Sequence, residues 1–203
     1  MKIICIGRNY AEHAKELNNE VPDKPVIFLK PDTALLKDNK PFYMPDWASE
    51  MHYETEIVYK IGKNGKYIDE KFAPGYISEV TLGIDFTERK LQNEQKKKGL
   101  PWEISKGFDG SAVVGPFMSP ATLKNKDNIA FHMELNGQTA QSGQSADMIF
   151  PIGKIIAYVS QFYTLKTGDL IFTGTPFGVG PVVVGDRLKG FIEDKEIFSF
   201  EIK

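Results

Sequence analysis

The sequence predicts a β-rich, mixed α+β fold in a single domain over residues 1–203. Strand-like stretches outnumber helical ones, and long connections separate them. No strand–helix–strand rhythm repeats, which argues against a doubly wound parallel sheet. No internal repeat or low-complexity tract interrupts the chain.

The elements are read in order. Lys2 to Gly7 is apolar and β-branched and reads as a strand. Tyr10 to Leu17 is a short helical stretch, with Asn18-Asn19 as its natural end. Val26 to Leu29 is a second strand. Lys30 to Met51 has no clear period, is punctuated by Pro31, Pro41 and Pro45, and reads as a long ordered loop. Tyr53 to Ile61 and Tyr76 to Phe86 read as strands. Thr87 to Lys98 is the strongest helix: Thr87 can cap it, Gly99 can close it, and Pro101 forbids continuation. Ile129 to Leu135 is a strand running into the tight-turn pair Asn136-Gly137. Pro151 opens a second helix through Ile155, Ile156, Tyr158 and Val159 to Phe162. The remainder alternates short β runs with glycine turns: Asp169 to Thr173, Pro181 to Val184, and two strands around Glu193-Asp-Lys195.

Composition narrows the function classes. The chain is 41% hydrophobic and 26% charged, an ordinary globular balance. A net charge of -2 carries no nucleic-acid footprint. The basic run Glu94-Gln-Lys-Lys-Lys98 falls where a helix should end, and its cations are read as complements of the helix dipole. Cys5 is the only cysteine and lies in an apolar strand, so it reads as an inert buried thiol. No stretch could span a bilayer and no signal peptide is legible, so the expected location is cytoplasmic.

Three carboxylates carry the chemistry. Glu54 and Glu56 stand two residues apart in a strand, so their side chains share a face. Alone, such a pair is as ordinary as any solvated strand face. Asp85, in Gly83-Ile-Asp-Phe86, supplies a third oxygen donor. No His or Cys cluster accompanies them, and all-oxygen donors suit a hard divalent ion, Mg²⁺ or Mn²⁺.

Other groups admit two readings each. His13 and Glu16 share a helix face, which suits an oriented general base or an exposed amphipathic turn. Lys106 could balance substrate charge or be a solvated loop lysine. The loop Thr173-Gly-Thr-Pro176 could present N–H groups and the Thr175 hydroxyl to an anion or simply turn the chain. His132 reads as structural, and His52 has no assigned role.

In order and spacing, these pieces resemble the fumarylacetoacetate hydrolase superfamily over nearly the whole chain. The landmarks are Gly7-Arg-Asn-Tyr-Ala-Glu-His13, Ile27-Phe-Leu-Lys-Pro31, His52-Tyr-Glu-Thr-Glu56, Gly83-Ile-Asp-Phe-Thr87, Lys96-Lys-Lys-Gly-Leu-Pro-Trp102, Asn136-Gly137 with Gln141, Ser145-Ala-Asp-Met-Ile-Phe150, and Gly168-Asp169 before Thr173-Gly-Thr-Pro176. The nearest likeness is to the small acylpyruvases that also decarboxylate oxaloacetate.

The resemblance implies a β-sandwich roll with short flanking helices, in a homodimer. It implies metal ligands Glu54, Glu56 and Asp85, a catalytic lid dyad His13 and Glu16 within residues 8–50, and a catalytic lysine at Lys106. It places Arg8, Arg89, Gln92 and Thr175 against the substrate, a small 2-oxoacid. The implied enzyme is a metal-dependent hydrolase and lyase that cleaves acylpyruvates or decarboxylates oxaloacetate through a pyruvate enolate held by the metal and Lys106. Alternatives are a dienedioate isomerase/decarboxylase, a sugar-acid dehydratase, or a non-catalytic oxoacid-binding protein. No nucleic-acid or membrane partner is implied.

Overall fold

Residues 1–16 and 20–203 are described in the computed structural model. The chain opens with β1 (Ile3–Gly7), α1 (Ala11–Glu16), β2 (Val26–Lys30) and β3 (Leu35–Leu36). Next come β4 (Met51–Tyr53), β5 (Thr55–Ile61), β6 (Ile77–Asp85), β7 (Thr87–Glu88), α2 (Arg89–Lys98) and α3 (Glu103–Lys106). Then follow β8 (Ala112–Val114), β9 (Ala130–Leu135), β10 (Gln138–Gln144) and α4 (Ile152–Phe162). The last elements are β11 (Leu170–Phe172), β12 (Gly180–Pro181), β13 (Arg187–Ile192) and β14 (Lys195–Glu201).

The large sheet has the order β2-β1-β11-β5-β6-β8-β3. It is mixed: β1 runs parallel to β11 and β3 parallel to β8, and the remaining neighbours are antiparallel. A second sheet, β10-β9-β13-β14, packs on it through Ile57, Leu82, Met133, Leu188, Phe198 and Phe200. The short β12-β4-β7 ribbon completes the β structure. β1 is buried on both faces, which is why it reads as a continuous apolar run. Ile4 and Ile6 face α4 and its cluster, while Ile3 and Cys5 face Val58, Val114 and Phe172. No helix among the described residues is long and apolar enough to cross a membrane.

Several expected boundaries move. The Tyr53–Ile61 strand breaks at Glu54, because Met51–Tyr53 pairs with β7 and β12 while Thr55–Ile61 pairs with β6 and β11. The helix expected from Thr87 begins at Arg89. Thr87 pairs with His52, and Glu88 takes the cap by accepting from Leu91 N at 2.5 Å. The expected Pro181–Val184 strand is only the Gly180–Pro181 bridge. The Val183 N–H is spent on Asp186 Oδ2 at 2.8 Å, which turns the chain. The Lys30–Met51 loop is partly anchored, since Leu35–Leu36 joins β8 and the Phe42 N–H bonds to Glu201 O at 2.9 Å. Leu17 and the expected helix end at Asn18-Asn19 lie outside the described residues.

Candidate active site

Strand register assembles the three carboxylates. Glu56 lies opposite Gly83, and the Asp85 N–H donates to Glu54 O at 2.8 Å, so Glu54 stands opposite Asp85 and Glu56 on the diagonal. One carboxylate oxygen from each lies within 4.8 Å of the others, and all three residues are buried. Gly83 has no side chain to intrude: a Cβ there would meet Val113 O at 2.5 Å.

Three cations hold this cluster. Lys106 Nζ sits 2.7 Å from both Glu54 Oε2 and Asp85 Oδ2. Arg89 donates to Glu54 Oε1. Lys30 Nζ lies 2.6 Å from Asp85 Oδ1, but its aligned hydrogen bonds go to Ser111 O, Ser111 Oγ and Phe86 O. Asp85 Oδ1 therefore has a charge beside it and no hydrogen bond. Buried charges persist only when paired in this way.

The environments of the carboxylates differ. Burial would raise the Glu54 carboxyl, yet Lys106 and Arg89 outweigh it and hold it well below the usual range. Glu56 goes the other way. Burial, with Asp85 and Glu54 adding like charge, pushes it well above the usual range, against Lys106 and one hydrogen bond from Gly174 N. That bond is 2.7 Å long. Lys106 is raised despite burial, because Asp85 and Glu54 both favour its charged form.

Glycine is required at position 174. Its φ is 95°, and a Cβ would lie 2.7 Å from Asn9 Cβ. Asn9 locks this corner from below: its side chain donates to Phe150 O and Thr173 O and accepts from Phe150 N. The neighbouring Thr175 hydroxyl accepts from Gln141 Nε2 at 2.8 Å, while Gln141 Oε1 accepts from Thr55 N at 2.9 Å. Gln141 thus ties the 173–176 loop to the strand that carries Glu56.

The remaining candidates converge on one cavity. Arg8, His13, Arg89, Gln92, Lys106 and Thr175 line it together with the three carboxylates. His13 Nδ1 pairs with Glu16 Oε2 at 2.9 Å, and Glu16 Oε1 accepts from Gly178 N at 3.1 Å. Glu16 itself is off the cavity wall and orients the imidazole. Gln92 accepts from Arg89 Nη1 at 2.7 Å, so the pair is one preformed unit. His52 pairs with Glu50, and His132 stacks on Phe191, both away from the cavity.

The donor set fits a hard divalent cation. It is all carboxylate, it converges, and Asp85 Oδ1 is a buried acceptor without a hydrogen bond. Arg89 Nε is a second buried polar atom without a partner at this site, as expected of a group kept for a ligand.

Sequence reasoning gave no role to Lys30, Asn9 or the holding function of Gln141. Lys30 had a legible signal: a lysine closing the apolar strand Val26–Lys30 just before Pro31 has little reason to be there unless paired. Asn9 and Gln141 had no local signal, because their partners lie 34 to 164 residues away.

Comparison with known proteins extends the geometry. Residues 2–203 match the family described as Fumarylacetoacetate (FAA) hydrolase C-terminal. The chain is 40% identical over 201 residues to the mitochondrial oxaloacetate tautomerase of Mus musculus, covering 99% of this chain and 91% of that protein. It is 44% identical over 189 residues to the mitochondrial oxaloacetate decarboxylase of Dictyostelium discoideum, covering 93% of this chain and 87% of that protein. A crystal structure of fumarylpyruvate hydrolase from Pseudomonas aeruginosa in complex with Mn²⁺ and pyruvate superposes with a TM-score of 0.94 at 34% identity, covering 100% of this chain and 89% of that one.

Proposed function

The chain belongs to the fumarylacetoacetate hydrolase family, and from that premise we propose that it cleaves 2-oxoacids, as an acylpyruvate hydrolase and oxaloacetate decarboxylase. The observation that carries this reading is the convergence of His13, Lys106, Arg89 and Gln92 on the buried carboxylate cluster.

Glu54, Glu56 and Asp85 would hold Mg²⁺ or Mn²⁺, which polarises the 2-oxo group as a Lewis acid when bound. The chain's own groups do the rest. Arg89 and Gln92 present fixed donors to the substrate carboxylate, and the Thr175 hydroxyl, already accepting from Gln141, has its proton free to donate beside them. His13, aligned by Glu16, removes a proton from water through its second ring nitrogen. The resulting hydroxide attacks the distal acyl carbonyl, the C–C bond breaks, and the bond's electron pair leaves with pyruvate as its enolate. Lys106 and Arg89 stabilise that charge where it develops. Decarboxylation of oxaloacetate yields the same enolate with loss of CO₂ and needs no water.

A second reading is favoured by the tautomerase relative. Moving a proton between C3 and the C2 oxygen of oxaloacetate passes through the enolate of oxaloacetate itself, charged at the same C2 oxygen, so the same groups would serve it with a C–H bond and no C–C bond broken. The resemblance also supports a homodimer, which light scattering checks.

The test is pyruvate release from acetylpyruvate and oxaloacetate with Mn²⁺, Mg²⁺ or EDTA, after subtracting the spontaneous rate. Enol–keto conversion of oxaloacetate is followed by ultraviolet absorbance in parallel. Metal-dependent release that Glu56→Gln abolishes is the expected result. Accelerated tautomerisation without release would move the assignment to the second reading.

A further inference from the structure

β5 and β6 are antiparallel neighbours, a pair that a connection of about two to five residues can join. Here residues 62–76 make the connection, and α4 fixes its course. Gly65 and Leu165 exchange backbone hydrogen bonds at 2.9 and 2.8 Å, and the Tyr67 N–H donates to Ser160 O at 3.0 Å. The Ile68 N–H donates to Ser160 Oγ at 2.8 Å, and Ile68 and Ala73 are buried in the cluster around α4. The charged and aromatic side chains of the connection are thereby turned outward on an anchored base. Tyr67 holds a left-handed φ of 52°, which a bulky residue adopts only where its surroundings impose it.

This outward face combines two kinds of side chain. Tyr67 is 74% exposed, Phe72 61% and Phe162, at the end of α4, 56%. Lys66 Nζ donates to Phe162 O at 3.0 Å, which places Phe162 beside the other two. Three ammonium groups lie among the rings. Lys63 Nζ is 4.2 Å from the Tyr76 ring centre, Lys71 Nζ 4.9 Å from that of Phe72, and Lys66 Nζ 5.2 Å from that of Tyr67. The three lysines and their rings line an open cleft of about 530 Å³. Lys63 and Lys66 make no ion pair among the described residues, and Lys71 reaches Asp69 only at 3.7 Å. Glu70, the other carboxylate of the connection, lies against Gly153 of α4. The net charge of -2 for the whole chain averages this cationic face away.

We propose that this face docks the protein on membranes bearing anionic lipid. Exposed aromatic rings with lysines among them suit the membrane–water interface, where a ring is buried at headgroup depth and an ammonium reaches lipid phosphate or carboxylate. A second copy of the chain fits poorly, because a two-fold interface here would bring the lysines of both copies together. A nucleic acid would stack its bases on open ring faces, and here an ammonium occupies one face of Tyr67, Phe72 and Tyr76. Docking leaves the cavity of Glu54, Glu56 and Asp85 free, since the cleft shares no lining residue with it.

Co-sedimentation of the full chain with phosphatidylcholine vesicles that carry or lack phosphatidylserine tests this. Binding should be tighter to the anionic vesicles by about tenfold or more and should weaken steeply as salt rises. Lys63→Gln/Lys66→Gln/Lys71→Gln should lose most of that preference, and Tyr67→Ser/Phe72→Ser should weaken binding with no change of charge. Lys97→Gln/Lys98→Gln, which removes exposed lysines at the end of α2, should bind as the wild type does. Every exchanged side chain is exposed, so Tm should be unchanged throughout. Equal binding to both vesicle types, or a preference that survives the triple Lys→Gln variant, would overturn the proposal. So would retention on immobilised polyglutamate without vesicle binding, which would give the face to an acidic polypeptide. Dissociation of a dimer in the triple variant would overturn it too, giving the face to a second copy.

Discussion

Glu56 is the carboxylate with the least help. Glu54 has Arg89 and Lys106, and Asp85 has Lys106 and Lys30, but Glu56 has one backbone N–H from Gly174. Its pKa is raised by burial and by Asp85 and Glu54. A cation must displace the proton that Glu56 retains, so metal affinity should rise with pH and level off above the raised pKa. Calorimetry of Mn²⁺ binding in buffers of different ionisation enthalpy should show proton release on the rising part of that curve. The sign for stability is opposite. A raised folded-state pKa stabilises the metal-free protein fully below the usual value near 4.5 and progressively less as pH rises through the folded-state value. Glu56→Gln, a neutral isostere, should flatten this fall in Tm, abolish the metal-induced rise in Tm, and remove activity.

His13 makes a different prediction at the same scale. Only the hydrolytic reaction needs water activated, so His13→Ala should reduce acetylpyruvate cleavage by roughly 10²–10⁴-fold. Oxaloacetate decarboxylation should fall by less than about tenfold. Parallel losses in the two assays would refute the division of roles.

At the scale of elements, the site depends on how short segments begin and end. α2 starts at Arg89 because Glu88 accepts from Leu91 N with one oxygen and from Ser49 and Glu50 with the other. That double anchoring fixes the helix carrying Arg89, Gln92 and Lys96. Glu88→Ala should cost about 1–2 kcal/mol from the lost cap and raise KM through Arg89. Gly174→Ala should cost more than a surface change, about 1–3 kcal/mol, because both the φ of 95° and the 2.7 Å approach to Asn9 oppose it. Chemical denaturation measures both.

The same elements show what the sequence made legible. β1 was legible as an apolar run, α4 as an apolar face after Pro151, and α2 from its end signals Gly99 and Pro101. The turn residues Asn136 and Gly137 were read correctly, and both have positive φ. The carboxylates were visible as a motif. The break at Glu54 was not, because it arises from two sheets competing for one stretch of chain. Lys96 lies in the basic last turn of α2 as read, but that it also lines the cavity was not legible, since one-dimensional charge cannot say which side of a helix end faces a cavity. Lys30, Asn9 and Gln141 act through partners far away in sequence, which no local pattern reports.

For the whole molecule, the metal couples to stability. If Mn²⁺ binds the folded state alone, a concentration about a hundredfold above Kd should stabilise it by about 2.7 kcal/mol. For a chain of this size that is a rise in Tm of roughly 5–11 °C, reversed by EDTA. A scan with and without the ion checks this without any substrate.

The place of β11 has a consequence for how the protein is made. It lies between β1 and β5 and, among the described residues, is the only strand that joins the β2-β1 half of the large sheet to the β5-β6-β8-β3 half. Arg8, His13 and Lys30 belong to the first half, and Glu54, Glu56 and Asp85 to the second. On the ribosome, the two halves are synthesised first and wait for residues 170–172. A chain that ends before Leu170 should therefore fail to bring His13 to the carboxylates, and acetylpyruvate cleavage should appear only in chains that extend past these residues.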